Sequence, residues 1–388
     1  MNLTKNIRFK NFRLFNSKKK IQILFKKLLN EENIILNSLS HSYKNSYDKK
    51  KFLKFKKYSN FIIVGMGGSI LGSKAIFNFL KQKIKKNFFF IDNFQLNKIK
   101  KFINKKRLNI VISKSGNTLE TIANTNILIN KKNKNIFITE NKSSYLRSLA
   151  KKLKSDIIDH NNYIGGRYSV LSEVGMLPAE LMGLKVSKFR RLNLLIKNKY
   201  FTKTLVENVS NILSLVNKKK SNSIILNYNN GSLDLFYWYQ QLVAESLGKK
   251  SKGILPIIST MPKDNHSLMQ LYLDGTKNNF YTFFFAKENF SNKIKNNKLL
   301  RSHTYLKNKN LDDISYAQFK ATQNVFNKKA IPFRSFFIEK KNEETLGELF
   351  TFFILETILL GKALDINPYD QPSVELIKAD TKKFLINS

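Results

Sequence analysis

A carboxylate inside an apolar helical pattern is the first candidate for chemistry in this sequence. Glu245 follows Gln241 by one helical turn, so the two side chains share a face of a helix predicted to begin at Leu233. The apolar residues that predict a packed opposite side are Leu235, Trp238, Leu242, Val243 and Leu247. A carboxyl group held against a packed surface has a raised proton affinity, which suits a general base near neutral pH. The alternative is a solvated surface glutamate.

Two loops rich in glycine and hydroxyl groups form the second candidate site. The apolar run 61–64 ends in GMGGSILG, where Gly68 and Ser69 stand at the start of a predicted helix. A second predicted buried strand, 108–112, ends in SKSGNTLET, also before a predicted helix. Backbone N–H groups at a helix start, together with hydroxyl groups and a lysine, bind phosphate. The candidate phosphate ligands in the second loop are Ser113, Lys114, Ser115 and Thr118.

A dinucleotide site is the main alternative for the first loop. Asp92 follows the next predicted strand, where a ribose-binding acid would stand, but Ile70 replaces the third glycine of G-x-G-x-x-G. The G-K-[ST] of a P-loop is also missing. The alternative for the second loop is that its Ser, Gly and Asn residues form a turn that only connects the strand to the helix. Because the two units repeat, we favour a phosphate site at the carboxyl edge of a parallel sheet.

Four further residues have chemically suitable types and positions. Arg167 follows two glycines in GGRYSVLSEVGMLPAELMG and is placed to stabilise an oxyanion; the alternative is a structural arginine that pairs with a carboxylate. His266 stands beside Asp264 in a predicted loop, as a proton shuttle or as a turn residue. Gln371 and Lys378 flank the start of the last predicted helix. By composition alone, Lys378 is typical of a solvated helix lysine.

The composition excludes several kinds of site. The chain has no cysteine, so disulfides and thiolate metal sites are impossible. Its four histidines are not paired at ligand spacing, and no metal site is expected. With 69 Lys+Arg against 27 Asp+Glu, the formal net charge is +42, which is typical of a nucleic-acid or acidic-membrane partner. The basic residues are spread through every connecting segment together with Asn, Ile and Phe, which favours an AT-rich genome and no specific nucleic-acid partner.

Targeting and membrane signals are missing from the sequence. No apolar run reaches the ~18 residues of a membrane span. The N-terminal residues contain neither an uninterrupted apolar core nor a small-residue cleavage site, unlike a secretory signal. We therefore expect a cytoplasmic protein with no membrane partner.

The elements that must position these residues predict an α/β fold. A length of 388 residues allows two packed domains, and apolar strand-length runs alternate with helical segments, as in mainly parallel sheets. The predicted division is an N-terminal helical segment 1–57, a first domain 58–185, a helical connection 186–222, a second domain 223–364 and a C-terminal helix 365–388. Among the individual elements, the sequence predicts a strand at 253–258 and helices at 171–182, 315–327 and 347–363. Residues 286–314 are charged and are predicted to be irregular.

Six motifs in order resemble one family, the glucose-6-phosphate isomerases (phosphoglucose isomerases). The resemblance extends from about residue 61 to residue 378. It is carried by GMGGSILG, SKSGNTLET, GGRYSVLSEVGMLPAELMG, QLVAESLGK, DNHS and NPYDQPSVELIK. Asn117 replaces a usual Thr and Ser373 a usual Gly. Because the chain stops soon after Lys378, we expect it to lack the long C-terminal arm of some members.

The resemblance implies a fold, a reaction and a set of roles. The fold would be two sugar-isomerase (SIS) domains, each a mainly parallel sheet between helices (three-layer αβα). The reaction would be the reversible isomerisation of D-glucose 6-phosphate and D-fructose 6-phosphate in glycolysis and gluconeogenesis, through ring opening and a cis-enediolate, without metal or cofactor. The implied roles are proton transfer by Glu245, enediolate stabilisation by Arg167, ring opening by His266 with Lys378, phosphate binding by Ser113, Lys114, Ser115 and Thr118, a sugar site at Gly68 and Ser69, and substrate positioning by Gln241 and Gln371. The resemblance also implies a homodimer in which His266 is contributed across the interface.

Three alternatives remain open at this point. A bifunctional phosphoglucose/phosphomannose isomerase would depart from several of these signatures. A non-catalytic sugar-phosphate-binding protein with SIS domains would keep SKSGNT but would not need Glu245, His266 and Lys378 together. A basic nucleic-acid-binding protein would bind DNA with a steep salt dependence.

Overall fold

A computed structural model describes residues 2–14, 16–94, 106–129, 133–288 and 293–387 of the chain. Within these residues the strands form two five-stranded sheets. The strands are β1 (Ile7–Lys10), β2 (Asn60–Val64), β3 (Asn87–Ile91), β4 (Leu108–Ile112), β5 (Lys134–Glu140), β6 (Asp156–His160), β7 (Asn222–Asn227), β8 (Leu255–Thr260), β9 (Asn279–Ala286) and β10 (Phe333–Ile338). The helices are α1 (Lys19–Asn30), α2 (Ile34–Ser38), α3 (Lys49–Leu53), α4 (Leu71–Phe79), α5 (Leu119–Leu128), α6 (Tyr145–Lys152), α7 (Glu173–Leu181), α8 (Leu192–Lys197), α9 (Lys199–Asn217), α10 (Leu233–Leu247), α11 (Met269–Asp274), α12 (Leu311–Lys328), α13 (Glu343–Ala363) and α14 (Val374–Asn387).

The first sheet has the strand order β3-β2-β4-β5-β6, and all neighbouring strands are parallel. Strands β2 and β4 are largely apolar and buried on both faces, as strands between two helix layers must be; the one buried polar side chain of β4 is Asn109. Because β2 and β4 are neighbours, the glycine-rich loop after β2 and the hydroxyl-rich loop after β4 lie at the same edge of the sheet.

The second sheet has the order β1-β10-β9-β7-β8. Strands β7 to β10 are parallel, and β1 adds an antiparallel edge strand in which Ile7 lies opposite Ile338. The predicted α/β class with mainly parallel sheets flanked by helices is confirmed. The expectation of helices alone over residues 1–57 is wrong at β1, because this four-residue strand depends on a partner at the far end of the sequence. The predicted domain boundaries stay predictions.

The two halves share a hydrophobic core. Helix α13 is predominantly apolar and is buried almost throughout. Helix α10 packs against α4, and Lys74 of α4 lies 3.4 Å from Asp234 of α10 and 2.6 Å from Asp92. The candidate ribose ligand Asp92 is therefore an ion-pair partner that helps to join α4 to the first sheet. None of the described helices has both the length and the apolar composition needed to cross a bilayer.

Two boundaries near the candidate site differ from the sequence-based expectation. Strand β8 begins two residues later than the predicted 253–258, because Gly253, with φ of 150°, belongs to the preceding turn. The predicted helix 171–182 is divided into a 3₁₀ turn, Gly166–Leu171, and helix α7. Ser172 separates them because its hydroxyl caps α7 and ends the 3₁₀ turn.

Two helices in the second half begin earlier than predicted, and in both cases an asparagine cap explains the difference. Asn310 and Asp313 form a capping box that starts α12 at Leu311. Asn342 caps α13 one turn before the predicted start. The region predicted to be irregular, 286–314, contains 3₁₀ turns and the first turn of α12, while its residues 289–292 lie outside the described residues.

Candidate active site

Gln241 and Glu245 share one face of α10, as their spacing predicts. Gln241 Nε2 donates a hydrogen bond of 2.7 Å to Glu245 Oε1. The apolar residues predicted for the other side of this helix are all buried. The side chain of Glu245 is 26% exposed, so the carboxylate is held by protein on one side and open on the other.

Arg167 joins the 3₁₀ turn of the first half to α10. Its Nη1 lies 3.3 Å from Glu245 Oε2 and donates to Gln371 Oε1 at 2.8 Å. Its Nε donates to Ser246 Oγ at 2.8 Å, and the side chain is almost completely buried. The arrangement places a fixed positive charge beside a partly open carboxylate, where it can stabilise negative charge that develops on a carbonyl oxygen.

The loop between α13 and α14 is held by two cations. Arg167 Nη2 donates to the carbonyl oxygens of Pro368 at 2.7 Å and Asp370 at 3.1 Å. Lys249 Nζ donates to the carbonyl oxygen of Asp370 at 2.8 Å and to its carboxylate at 2.7 Å. The hydrogen bond from Lys249 lowers the pKa of Asp370, so this carboxylate stays charged. These bonds fix the backbone that presents Gln371 to Arg167.

The glycines of the first loop allow close contact with α10 and with the 3₁₀ turn Gly166–Leu171, which carries Arg167. A Cβ atom on Gly68 would lie 2.1 Å from the carbonyl carbon of Gly166, so the two backbones touch. Gly67 has φ of +51°, and a Cβ there would lie 2.8 Å from Gln241 Nε2. Ser69 is half-buried and ends the short 3₁₀ turn Gly67–Ser69 in this loop. The loop that carries Gly68 and Ser69 therefore lies next to Gln241 and Arg167, the two residues that contact Glu245.

The second loop forms a compact arrangement of hydroxyl groups at the end of β4. Ser113 Oγ and Thr118 Oγ1 are 2.9 Å apart, and the backbone N–H of Gly116 donates to Ser113 Oγ at 3.2 Å. Gly116 has φ of +68°, and a Cβ there would clash with Ser144 Oγ at 2.1 Å. Ser115 is exposed at the rim. This geometry suits an oxyanion held by hydroxyl and backbone N–H groups.

Two other residues of this loop have partners of their own. Lys114 Nζ lies 3.6 Å from Glu140 Oε1, a long contact between a half-buried lysine and a largely buried carboxylate. Asn117, which replaces the usual Thr of the resembled family, accepts the backbone N–H of Tyr145 at 2.9 Å through its Oδ1. Its side chain is therefore used to hold the start of α6 against the loop.

His266 and Lys378 are placed differently from the rest. His266 is exposed at the end of a 3₁₀ turn after β8, and within the described residues no hydrogen bond or ion pair joins it to Glu245. The neighbouring Asp264 is buried and accepts a hydrogen bond from Ser259 Oγ at 3.0 Å, so this acid fixes the turn. Lys378 lies on the exposed helix α14.

Sequence reasoning missed several residues that surround Arg167. Tyr168 Oη lies 2.9 Å from Ser246 Oγ, and burial raises the pKa of this tyrosine, so the hydroxyl stays neutral. Trp238 Nε1 donates to the carbonyl oxygen of Arg167 at 3.2 Å. Lys249 holds the C-terminal loop. Tyr168 lies in the motif GGRYS, Ser246 and Lys249 lie in QLVAESLGK, and Trp238 stands just before that motif. Their closeness in sequence to the candidate residues was the signal that could have found them.

Comparison with known sequences gives a family for this arrangement. The sequence profile of the phosphoglucose isomerase family matches residues 41–387. The chain is 33% identical to the glucose-6-phosphate isomerase of Methanocaldococcus jannaschii over 356 residues, which cover 86% of this chain and 85% of that protein. The matched region includes both sheets except β1, and it includes every candidate site residue.

Comparison with solved structures supports the fold. A hypothetical protein from Thermus thermophilus superposes with a TM-score of 0.81 at 22% identity, covering 95% of this chain and 94% of that chain. A glucose-6-phosphate isomerase from Chlamydia trachomatis superposes with a TM-score of 0.78 at 17% identity, covering 98% of this chain and 89% of that chain.

Proposed function

The chain belongs to the phosphoglucose isomerase family, and from this premise we propose that it interconverts D-glucose 6-phosphate and D-fructose 6-phosphate. The observation that carries the proposal is the partly open Glu245 carboxylate beside the buried Arg167, with Gln241 and Gln371 in contact with the same pair. A bifunctional phosphoglucose/phosphomannose isomerase and a non-catalytic sugar-phosphate-binding protein are not favoured, because the named relatives are glucose-6-phosphate isomerases.

Glu245 moves the proton in this mechanism. Its carboxylate takes the proton from C2 of the open-chain aldose, and the same group then delivers it to C1 of the cis-enediolate. Arg167 stabilises the negative charge on the enediolate oxygens, because a buried and already oriented cation acts strongly in low-dielectric surroundings. A positioned base contributes ~10²–10⁴-fold to such a reaction. Gln241 fixes the carboxylate through their 2.7 Å hydrogen bond.

The loop after β4 holds the phosphate group. Ser113 and Thr118 supply hydroxyl groups that already lie 2.9 Å apart, and Ser115 supplies a third at the exposed rim. Lys114 adds charge, for which its 3.6 Å contact with Glu140 has to give way. Gly68 and Ser69 of the neighbouring loop line the sugar, and Gln371 orients it from the C-terminal side.

Ring opening also requires an acid–base group near the sugar ring, and within the described residues no hydrogen bond or ion pair joins His266 to Glu245. His266 from the neighbouring subunit of a homodimer opens the ring, with help from Lys378. Support comes from the exposure of His266 on a turn beside the second sheet. In this arrangement each active site is completed by a partner.

Subunit complementation tests the shared site. In a mixed dimer of Glu245→Gln and His266→Gln subunits, one site carries both substitutions and the other carries none. After random exchange of two inactive variants, half of the dimers are mixed and each has one intact site, so activity should return to about a quarter of the wild-type level. Mixtures that stay inactive although size analysis shows exchanged dimers would place His266 in the site of its own subunit.

The reaction itself is tested with a coupled assay for conversion of fructose 6-phosphate to glucose 6-phosphate in the presence of EDTA. Activity that survives EDTA supports both the reaction and the proposed metal-free, cofactor-free mechanism. Loss of activity in EDTA, with recovery on addition of a divalent metal, would contradict that mechanism. An inactive protein whose melting temperature still rises with sugar phosphate would instead be a binding protein. The proposed reaction belongs to glycolysis and gluconeogenesis, and a cytoplasmic location remains the prediction.

A further inference from the structure

A buried histidine–glutamate pair lies at the base of the loop that carries Arg167. His160 is the last residue of β6 and Glu173 is the first residue of α7. His160 Nδ1 lies 2.7 Å from Glu173 Oε1, and both side chains are almost completely buried. The carboxylate also accepts the backbone N–H of Asn161 at 2.9 Å and the hydroxyl of Tyr43 at 3.1 Å. Neither residue belongs to the proposed chemistry.

The ring of His160 has a polar contact at each of its two nitrogens. Its second ring nitrogen, Nε2, lies 3.1 Å from the carbonyl oxygen of Ile164. Both ring nitrogens therefore face oxygen acceptors. In a neutral imidazole one nitrogen carries the N–H group and the other is an acceptor, so the ring makes at least one of these contacts as a hydrogen bond. The pair is buried, with an oxygen atom close to each ring nitrogen.

These contacts link the pair to Arg167 through the backbone. The bond from His160 to the Ile164 carbonyl fixes the chain three residues before Arg167, while Glu173 fixes its far end. Between these points, Gly166 touches the backbone of Gly68, and the 3₁₀ turn presents Arg167 to Glu245. The loop is therefore anchored at its base by the contact between His160 and Glu173.

We propose that His160 and Glu173 are positioning residues for Arg167: their contact closes the base of the 160–173 loop and sets the place of the guanidinium beside Glu245. This inference rests on the proposed role of Arg167. It differs from a purely structural role because it predicts an effect on turnover that depends on Arg167 itself.

The test is a double-mutant cycle on kcat with fructose 6-phosphate as substrate. His160→Gln should lower kcat by roughly 10–100-fold with little change in KM, since a displacement of about 1 Å can cost ~10²-fold. Arg167→Lys should lower kcat by ~10²–10³-fold, as removal of one oxyanion donor does. If His160 acts through Arg167, the double variant should be about as slow as Arg167→Lys alone. His41→Gln, at an exposed histidine, is the control and should behave as wild type.

Two results would overturn the inference. One is a folded His160→Gln protein with the kcat of the wild type. The other is the same loss of kcat from His160→Gln in both backgrounds, which is expected of a merely structural residue. If His160→Gln fails to fold, Tyr43→Phe decides in its place. That variant removes one hydroxyl donor from Glu173 and should cause a smaller loss of kcat that again disappears in the Arg167→Lys background.

The same assay separates this inference from the proposed function. An inactive wild-type protein, or an Arg167→Lys variant with full kcat, would contradict the proposed function. An active wild type that depends on Arg167 but not on His160 would contradict the positioning role alone.

Discussion

Two arginine–glutamate pairs in this protein are built from the same residue types and lie in opposite environments. Arg167 and Glu245 meet where the first half contacts α10, and Glu245 is 26% exposed. Arg334 of β10 and Glu356 of α13 meet inside the second half, and both side chains are 0% exposed. Both glutamates stand in apolar helices, Glu245 in LVAESLGK and Glu356 in FILETILLGK. The local sequence therefore does not distinguish them.

We call Arg334–Glu356 the sealed pair and Arg167–Glu245 the open pair. In the sealed pair, every polar side-chain atom of both residues has a hydrogen-bond partner. Glu356 contacts Arg334 through both oxygens and also accepts from Asn208 Nδ2 and from the hydroxyl of Tyr239. Arg334 donates in addition to Thr282 Oγ1 at 2.9 Å. The open pair has its arginine saturated in the same way, whereas the glutamate keeps an exposed side. In the proposed mechanism, the open pair keeps its cation fixed and its carboxylate accessible to substrate, whereas neither group of the sealed pair is accessible.

The strongest test of this comparison is Glu245→Gln. Turnover of fructose 6-phosphate should fall by ~10²–10⁴-fold, because the general base is lost. The melting temperature should change little, since Arg167 keeps its other acceptors, Ser246 Oγ, Gln371 Oε1 and the loop carbonyls. Substrate binding, measured by isothermal calorimetry, should stay near normal. Wild-type turnover in this variant would exclude Glu245 as the base.

The matched change in the sealed pair is Glu356→Gln, which should act on stability. It leaves the buried Arg334 charge uncompensated, which costs ~3–5 kcal/mol in the free energy of unfolding. Urea denaturation measures this loss, while kcat per folded molecule should equal that of the wild type. A variant with normal stability and reduced kcat would reverse the roles that we assign to the two pairs.

A smaller effect is expected at the edge of the open pair. Lys249→Met removes the hydrogen bonds to Asp370 and should lower kcat/KM by about tenfold, below the ~10²-fold that a 1 Å displacement of a reacting group can cost. Lys250→Met is the matched control, because Lys250 Nζ makes one exposed contact of 3.4 Å with the carbonyl of Asp365. Equal activities of the two variants would show that Lys249 does not position the loop.

The smallest expected effect concerns a third pair, the buried His160–Glu173, and the pH dependence of stability. Burial alone would raise the pKa of Glu173, but the hydrogen bond and charge of His160 and the Asn161 N–H outweigh it, and the pKa lies below its ordinary 4.5. The unfolded carboxyl therefore binds a proton more readily than the folded one. Its contribution to stability is present above that ordinary value and is lost as the pH falls through the folded pKa.

Urea denaturation at pH 7 and at about pH 3 measures this contribution. The free energy of unfolding should fall less between the two pH values in Glu173→Gln than in the wild type. Glu32→Gln, at an exposed glutamate, should show the same fall as the wild type. An equally steep fall in Glu173→Gln would mean that this carboxylate does not contribute to acid unfolding.

Much of the fold could be predicted from local patterns. Strands β2 and β4 are largely apolar segments of strand length, and α10 shows a helical period from its first residue, so all three were placed almost to the residue. Strand β1 could not be predicted, because its four residues, IRFK, carry little pattern of their own and their pairing with β10 is non-local. The caps at Asn310 and Asn342 explain the early starts of α12 and α13. These starts could have been predicted from the sequence, because asparagine is a preferred N-cap residue.

The candidate site was predictable wherever one element supplies both groups. The spacing of Gln241 and Glu245 is enough to place them on one face, and the structure joins them by a hydrogen bond. The contact between Arg167 and Glu245 spans 78 residues, and no local pattern encodes it. The clamp of Lys249 on Asp370 was missed for the same reason, although both residues lie in quoted motifs.

The antiparallel edge strand β1 also has a consequence for synthesis. Its partner β10 is made only when the ribosome has reached residue 338, on the order of 15–65 s later at ~5–20 residues per second. During that interval Phe9 lacks Phe336, whose ring centroid lies 4.6 Å away in the finished protein. The first sheet needs no residue beyond His160 for its strand pairing and can form while translation continues. The apolar side chains of β1 therefore stay without their sheet partner until synthesis is nearly complete, so the second sheet is the last to close.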